Sequence, residues 1–369
     1  MPTKTKTRSA NQRLLDAWIS RLHDLVRIEN GLAAEARRHI NPAIQSITRD
    51  LQAANVRPAD WDRLTVARLI YQRIITAARL AYESIASQLT TLAPRWFDVQ
   101  ARTVFAKMGA ARIRRLAPRL LKNRRLHERD EPGFTLQARL DPFDILRDFF
   151  RMTGQADMPG FIDDVLRDFA FRYEGWGDRL ANRVANLVNV TVDERRELLD
   201  AINDLEVTLS AALSDFERMA GDAVQNLSFE SEELLLDYVG EEVQSLIYLA
   251  VLDMRTCLRC GSLSGTVWRS DDPNRPRVPL HRSCRCSYAP QLRDGGDPGD
   301  ISNYGDWLRR QHWTRQRRVL GPTRYRLYRD GLPVDRFVNR RNRILRIDEL
   351  PQPGKLPDSW RRSRLRKRR

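Results

Sequence analysis

A chain of 369 residues, 41% apolar and 30% charged, is long enough for two or three globular units with ordinary cores. Its formal charge of +16 is unevenly placed, since residues 301–369 hold 21 Lys or Arg against 6 Asp or Glu. Four cysteines confined to 257–286 argue against a disulfide scaffold and for a reducing compartment, and no apolar leader or run of eighteen apolar residues predicts secretion or a membrane span.

Over residues 11–89 apolar side chains recur every three or four positions: Leu14, Leu15, Trp18, Leu22, Leu25 and Ile28, then Leu64, Leu69, Ile70, Ile74, Ile75 and Leu80. This predicts antiparallel amphipathic helices, interrupted at Asn41-Pro42 and at 58–60, with Asp60 as an N-cap. A further helical stretch over 94–125 breaks near Gly109 and Pro118. It ends in a basic face, Arg112, Arg114, Arg115, Arg119, Lys122, Arg124 and Arg125, which is either solvated or in contact with nucleic acid. Charge, Pro and Gly over 127–142 predict a boundary, making 1–130 an N-terminal helical region.

Helical periodicity returns over 143–150, 161–188 and 192–224, so 141–240 reads as a second helical region. Thr191-Val-Asp-Glu194 has capping-box spacing and predicts a helix start, with Leu199, Ile202, Leu205, Leu209, Leu213 and Phe216 as the buried stripe. From residue 241 the period changes. Val243, Leu246, Tyr248 and Ala250, then 266–268 and 286–288, predict short strands separated by a Cys-rich turn and a polar loop over 270–277. Gly261 and Gly265 are read as positive-φ positions, and Pro273, Pro276 and Pro279 as stiffeners of the loop.

Within this 241–292 module, Cys257-x2-Cys260 faces His281-x2-Cys284-x-Cys286 across twenty residues, which offers thiolate and imidazole donors from two turns to one structural zinc ion. Five donors compete for four positions: Cys257, Cys260 and His281 with Cys284 or Cys286, or the four cysteines with His281 outside. Disulfides, or reduced thiols packed as small hydrophobes, are the alternatives. The fold class is therefore mainly α: helical bundle regions, a small α+β zinc-binding module held together by its metal, then 293–369 as linker and Arg-rich, partly disordered tail. In that tail, 293–300 reads as a flexible connector and 306–320 as a basic helix with Trp307, Leu308 and Trp313 available for docking; 360–369 is expected to be disordered when unbound.

Catalytic motifs are missing. There is no G-x-x-x-x-G-K, G-x-G-x-x-G, H-E-x-x-H or G-x-S-x-G, and no deaminase Glu beside His281, so no catalytic residue, bound organic cofactor or small-molecule substrate is expected. Ser228-Phe-Glu230-Ser-Glu232-Glu233 resembles the acidic motif of ADP-ribosyltransferase domains, but is read as a helix start capped by Ser228 or Ser231 with acids in its first turn. His23, His39, His127 and His312 are isolated.

The stretch Asp253-Met-Arg255-Thr256-Cys257-Leu-Arg-Cys260-Gly-Ser-Leu263-Ser-Gly265, continued by Pro279-Leu-His281-Arg-Ser-Cys284-Arg285-Cys286, resembles the head morphogenesis family of tailed phages, the Mu F-like minor head proteins. Ser264 stands where that pattern commonly has Asp. Tyr304, Trp307, Leu308, Gln311, 319–324, 329–331 and 348–350 extend the likeness, which covers residues 245–350. It implies a structural minor head protein of the virion, at the head interior or portal vertex after assembly in the host cytoplasm, with portal, capsid and scaffold proteins as partners. From charge alone, the Arg-rich tail is expected to bind double-stranded DNA or an acidic protein surface. The alternative is a zinc-dependent DNA-binding regulator or nuclease using Arg255, Arg259, Arg282 and Arg285.

Overall fold

The computed structural model describes residues 8–120, 145–146, 149–150, 161–301, 303–339 and 341–352. The boundary expected over 127–142, the basic residues Lys122, Arg124 and Arg125, and the terminal 360–369 lie outside the described residues.

Four long helices pack against one another: α1 (Ala10–Ala54), α2 (Arg63–Phe105), α4 (Phe161–Asp193) and α5 (Leu198–Val239), with α3 (Ala110–Leu120) laid on α5. α1 starts where the Ser9 hydroxyl accepts from Gln12 N at 2.9 Å and stops at Asn55, which takes left-handed φ. Between them Leu14, Trp18, Leu22, Leu25, Leu32, Ala36, Ile40 and Ile47 form one buried stripe. Each large apolar side chain so buried contributes about 1.5–3 kcal/mol, so the stripe outweighs local propensity. On α2 the buried face is mixed, with Ala78, Ala81, Ala93 and Ala101 interspersed among Ile74, Ile85, Leu89 and Phe97.

That balance explains where sequence periodicity misplaced the breaks. Pro42 and Pro94 lie inside α1 and α2, because buried residues on both sides of each ring outweigh the hydrogen bond it removes, and α3 runs on through position 118. The predicted interruption over 58–60 is present as a 3-10 turn, yet Asp62, not Asp60, caps α2 by accepting from Leu64 N. Likewise the break near Gly109 is present. Thr191–Glu194 is a helix end: α4 runs through Asp193, Arg195 reverses the chain at φ 51°, and α5 opens after Glu197. Leu199, expected in the stripe, is 65% exposed, while Ile202, Leu205, Leu209, Leu213 and Phe216 are buried.

Three arginines on the basic face of α3 pair with carboxylates, and two of them, Arg115 and Arg119, stay 62% and 46% exposed. Arg115 holds Glu242 through three hydrogen bonds of 2.9–3.1 Å, Arg112 reaches Glu242 and Asp294, and Arg119 pairs with Glu241. Its partners lie more than a hundred residues downstream.

Three antiparallel strands form a sheet in the order β2-β1-β3: β1 (Val243–Ala250), β2 (Val267–Arg269) and β3 (Cys286–Leu292). β1 and β3 pair from Val243↔Leu292 to Ala250↔Cys286, and every β3 residue is buried because α1 and α5 cover the sheet. One apolar cluster runs from Leu14 through the bundle to Leu292 and includes Cys260, Cys284 and Cys286. The sheet therefore shares its core with the helices. The paired glutamates of α5 lie mid-helix and not at its start. Glu232 is buried and accepts from Ser287 Oγ at 2.6 Å, Ser228 Oγ at 3.2 Å and Tyr288 N at 3.3 Å, while Trp18 Nε1 and Trp96 Nε1 donate to those two serines. Glu233 and Glu230 anchor Arg275 and Arg277 of the polar loop.

Past β3 the expected flexible connector is docked on the start of α1. Asn11 Nδ2 donates to Leu292 O and Gly296 O, its Oδ1 accepts from Leu292 N, and Asn11 N donates to Gly295 O. Then α7 (Tyr304–Arg309), α8 (Trp313–Asp330) and two 3-10 turns close a second core of Leu258, Tyr304, Leu308, Leu320, Leu327, Val334, Phe337 and Leu350. α8 kinks at Gly321, φ 75°, ahead of Pro322. Of the predicted docking residues, Leu308 is buried in this core, Trp307 packs on it and Trp313 stays half exposed. Among the described residues no helix is long and apolar enough to cross a membrane.

Candidate metal centre

Cys257 is the N-cap of the one-turn helix α6 (Leu258–Leu263), its Sγ accepting from Cys260 N at 3.3 Å. This knuckle turns both sulfurs to one side. Opposite it, the 281–286 turn is set by Cys284 N donating to His281 O and by Ser283, at φ 56°, donating its N–H to Asp222 Oδ1 of α5 at 2.5 Å. Cys286 then opens β3.

The five predicted donors fall into two overlapping groups that share Cys260. Cys257, Cys260 and His281 form one group that could hold a metal ion and Cys260, Cys284 and Cys286 another, with ligand atoms in each within 4.8 Å of one another. His281 Nε2 lies 3.1 Å from Cys257 Sγ and 3.0 Å from Cys260 Sγ, and Cys260 Sγ lies 3.8 Å from Cys284 Sγ. The four cysteines are free thiols, so the disulfide alternative is not what the fold contains. A tetrahedral site with metal–sulfur bonds of about 2.3 Å separates its sulfurs by about 3.8 Å, which is the Cys260–Cys284 spacing. The imidazole sits closer, at direct hydrogen-bond distance from both thiols.

The ring orientation also suits a metal. His281 Nδ1 donates to Arg282 O at 2.6 Å, which directs Nε2 toward the sulfurs. Hydrogen bonding to Cys257 raises the imidazole to about 9, while Cys257 falls to about 4 through its contacts with Cys260 and then His281. Cys284 falls to about 2, with Cys260 its leading partner, whereas burial pushes the Cys286 thiol up. Tyr248 Oη is buried beside these sulfurs, and burial followed by Cys286, Cys260 and Cys284 raises its pKa too.

Neighbouring residues hold the two knuckles in place. Asp253 receives two 2.7 Å hydrogen bonds from Arg285, whose side chain is 5% exposed, and this ties the first Cys pair to the second. Thr256 Oγ1 accepts from Asp253 N, and Thr256 O accepts from Tyr304 Oη. Gly265 does take positive φ, 87°, as expected, but Gly261 does not. Gly261 is required for close approach instead, since a Cβ there would lie 2.5 Å from the Tyr304 ring. The module's arginines are largely engaged: Arg255 with Glu29, Arg259 with Leu280 O, and Arg285 with Asp253.

Sequence periodicity did not single out a cluster beside the centre, where Arg172, Arg179 and Arg183 of α4 and Arg218 of α5 meet Arg282 around a hollow. The spacing of seven and four on α4 was the available signal. Compared with models of protein families, with curated proteins and with solved structures, the chain matches none.

Proposed function

We propose that the centre is a structural zinc site and that the chain is a non-catalytic minor head protein of a tailed phage, acting in head morphogenesis. The clustering of Cys and His donors from two turns carries the zinc reading, because thiolates and imidazole at this spacing suit zinc. Within it we assign Cys257, Cys260, His281 and Cys284 as ligands and Cys286 as a neighbouring protonated thiol. The support is geometric: His281 Nε2 lies 3.1 Å from Cys257 Sγ and 3.0 Å from Cys260 Sγ, and Cys260 Sγ lies 3.8 Å from Cys284 Sγ.

For the assembly role the support is the motif resemblance together with what its non-ligand residues do. Asp253, Thr256 and Arg285 brace the knuckles against each other, as a part shaped for packing against protein needs. Portal, capsid and scaffold proteins are the partners this reading gives, with the basic tail meeting packaged double-stranded DNA by counterion release in the virion.

Metal analysis of the purified chain tests the site: about one zinc per chain is expected for wild type and Cys286→Ser, with loss in Cys257→Ser, Cys260→Ser and Cys284→Ser. Wild-type protein free of metal after purification in zinc-containing medium overturns the reading. Co-purification with procapsids, lost on deleting residues 241–352, tests the assembly role.

A further inference from the structure

Beside the metal centre, a hollow of about 170 Å³ opens between α4, α5 and the 281–283 turn. Five arginines line it: Arg172, Arg179, Arg183, Arg218 and Arg282. The three on α4 are spaced by seven and four residues, which puts them on one face of the helix, and Asp215, Arg218 and Asp222 share a face of α5 by spacings of three and four.

The carboxylates present do not match this charge. Asp215 receives Arg183 at 2.9 Å and also pairs with Arg218, and Asp222 receives Arg172 at 3.2 Å and Ser283 N. Arg172 also reaches Asp168 at 2.7 Å, just outside the hollow. Counting Asp168, five guanidiniums face three carboxylates. Arg179 and Arg282 have no hydrogen-bond partner among the described residues, yet both line the same recess. Their spare N–H groups, together with the unused donors of Arg183 and Arg218, form a fork-shaped array around the hollow.

We propose that this hollow is a binding site for a tetrahedral phosphate-class oxyanion. Guanidinium forks match phosphate oxygens two at a time, and several cations in a part-enclosed recess repel one another until an anion neutralises them. Arg282 belongs to the turn that carries His281, so the anion sits one residue from the metal centre. The proposal does not rest on the zinc reading, because a metal-free chain that binds phosphate in this way leaves it standing.

The test is calorimetric titration of the full chain with inorganic phosphate at constant ionic strength set by chloride. Saturable one-to-one binding is expected, weakened at least tenfold in the double variant Arg179→Gln/Arg282→Gln and unchanged in Arg317→Gln, which alters the basic face of α8. Both pocket substitutions remove exposed side chains without hydrogen-bond partners, and circular dichroism checks that the fold is kept. A phosphate response no larger than that of chloride, undiminished binding in the double variant, or an equal loss in Arg317→Gln overturns the proposal. Competition by a short thymidine oligonucleotide assigns the oxyanion to a phosphodiester, and its failure to compete assigns it to free phosphate.

Discussion

The larger core is built from helices of 33 to 45 residues that bury long stripes against one another, whereas the smaller core is assembled from α7, α8, two 3-10 turns and Leu258 on the outer side of α6. α6 belongs to both. Its Cys260 faces the larger cluster and its Leu258 the smaller one, and Gly261 lets the Tyr304 ring lie directly on its backbone. A core that small does not fold alone, so it inherits its geometry from the six-residue helix it rests on, and the bound metal would fix that helix. The difference teaches that support is uneven: the bundle supports itself, and the C-terminal layer depends on the knuckle.

Metal removal breaks or sharpens this contrast most strongly. Chelation should strip hydrogen-exchange protection from residues 304–350 by several orders of magnitude and expose them to protease, while the bundle's helical circular dichroism signal survives. Collapse of the whole helical signal would erase the distinction between the two cores.

Glu232 probes the larger core alone. Burial raises its carboxyl from 4.5 to about 7, so the unfolded chain loses this proton at lower pH than the folded one. Stability is then lost as pH rises from about 4.5 to about 7 and is level above that, a span of about 3 kcal/mol. Glu232→Gln removes the slope. Urea denaturation should find the variant gaining about 3 kcal/mol relative to wild type between pH 4.5 and pH 8, with the layer over α6 unaffected. Parallel pH profiles for the two proteins would show that Glu232 does not titrate in this range.

Gly261→Ala should have the smallest effect and the most local one. The added methyl meets the Tyr304 ring at 2.5 Å, so about 2 kcal/mol is lost from the second core as Tyr304 withdraws, while zinc content stays at the wild-type level. Proteolysis within 304–350 against metal stoichiometry reads the two separately.

The clustering of these Cys and His side chains was legible in the sequence because their spacing is a local pattern that chemistry restricts to few uses. Helix identity was legible too, since the stripes of α1 and α5 are periodic. Helix ends were not. Pro42, Pro94 and Thr191 carry local stop or start signals that burial of their neighbours overrides. The basic face of α3 was ambiguous for a related reason: nothing near Arg115 in sequence announces Glu242, its partner 127 residues on. Gly261 was noticed for the wrong reason, because a close approach from Tyr304 leaves no mark at the glycine itself.

The clamp made by Asn11 has a consequence for biosynthesis. Its acceptors and donor at Leu292 and Gly296 are made 281 and 285 residues later, and Trp18 waits 269 residues for Ser287. During translation the leading end of α1 therefore leaves the ribosome long before the strand it covers exists, with Leu14, Leu15 and Trp18 exposed. Chains stalled before residue 286 should keep that end open to chaperones, so the leading end of α1 is sealed only after β3 has been made.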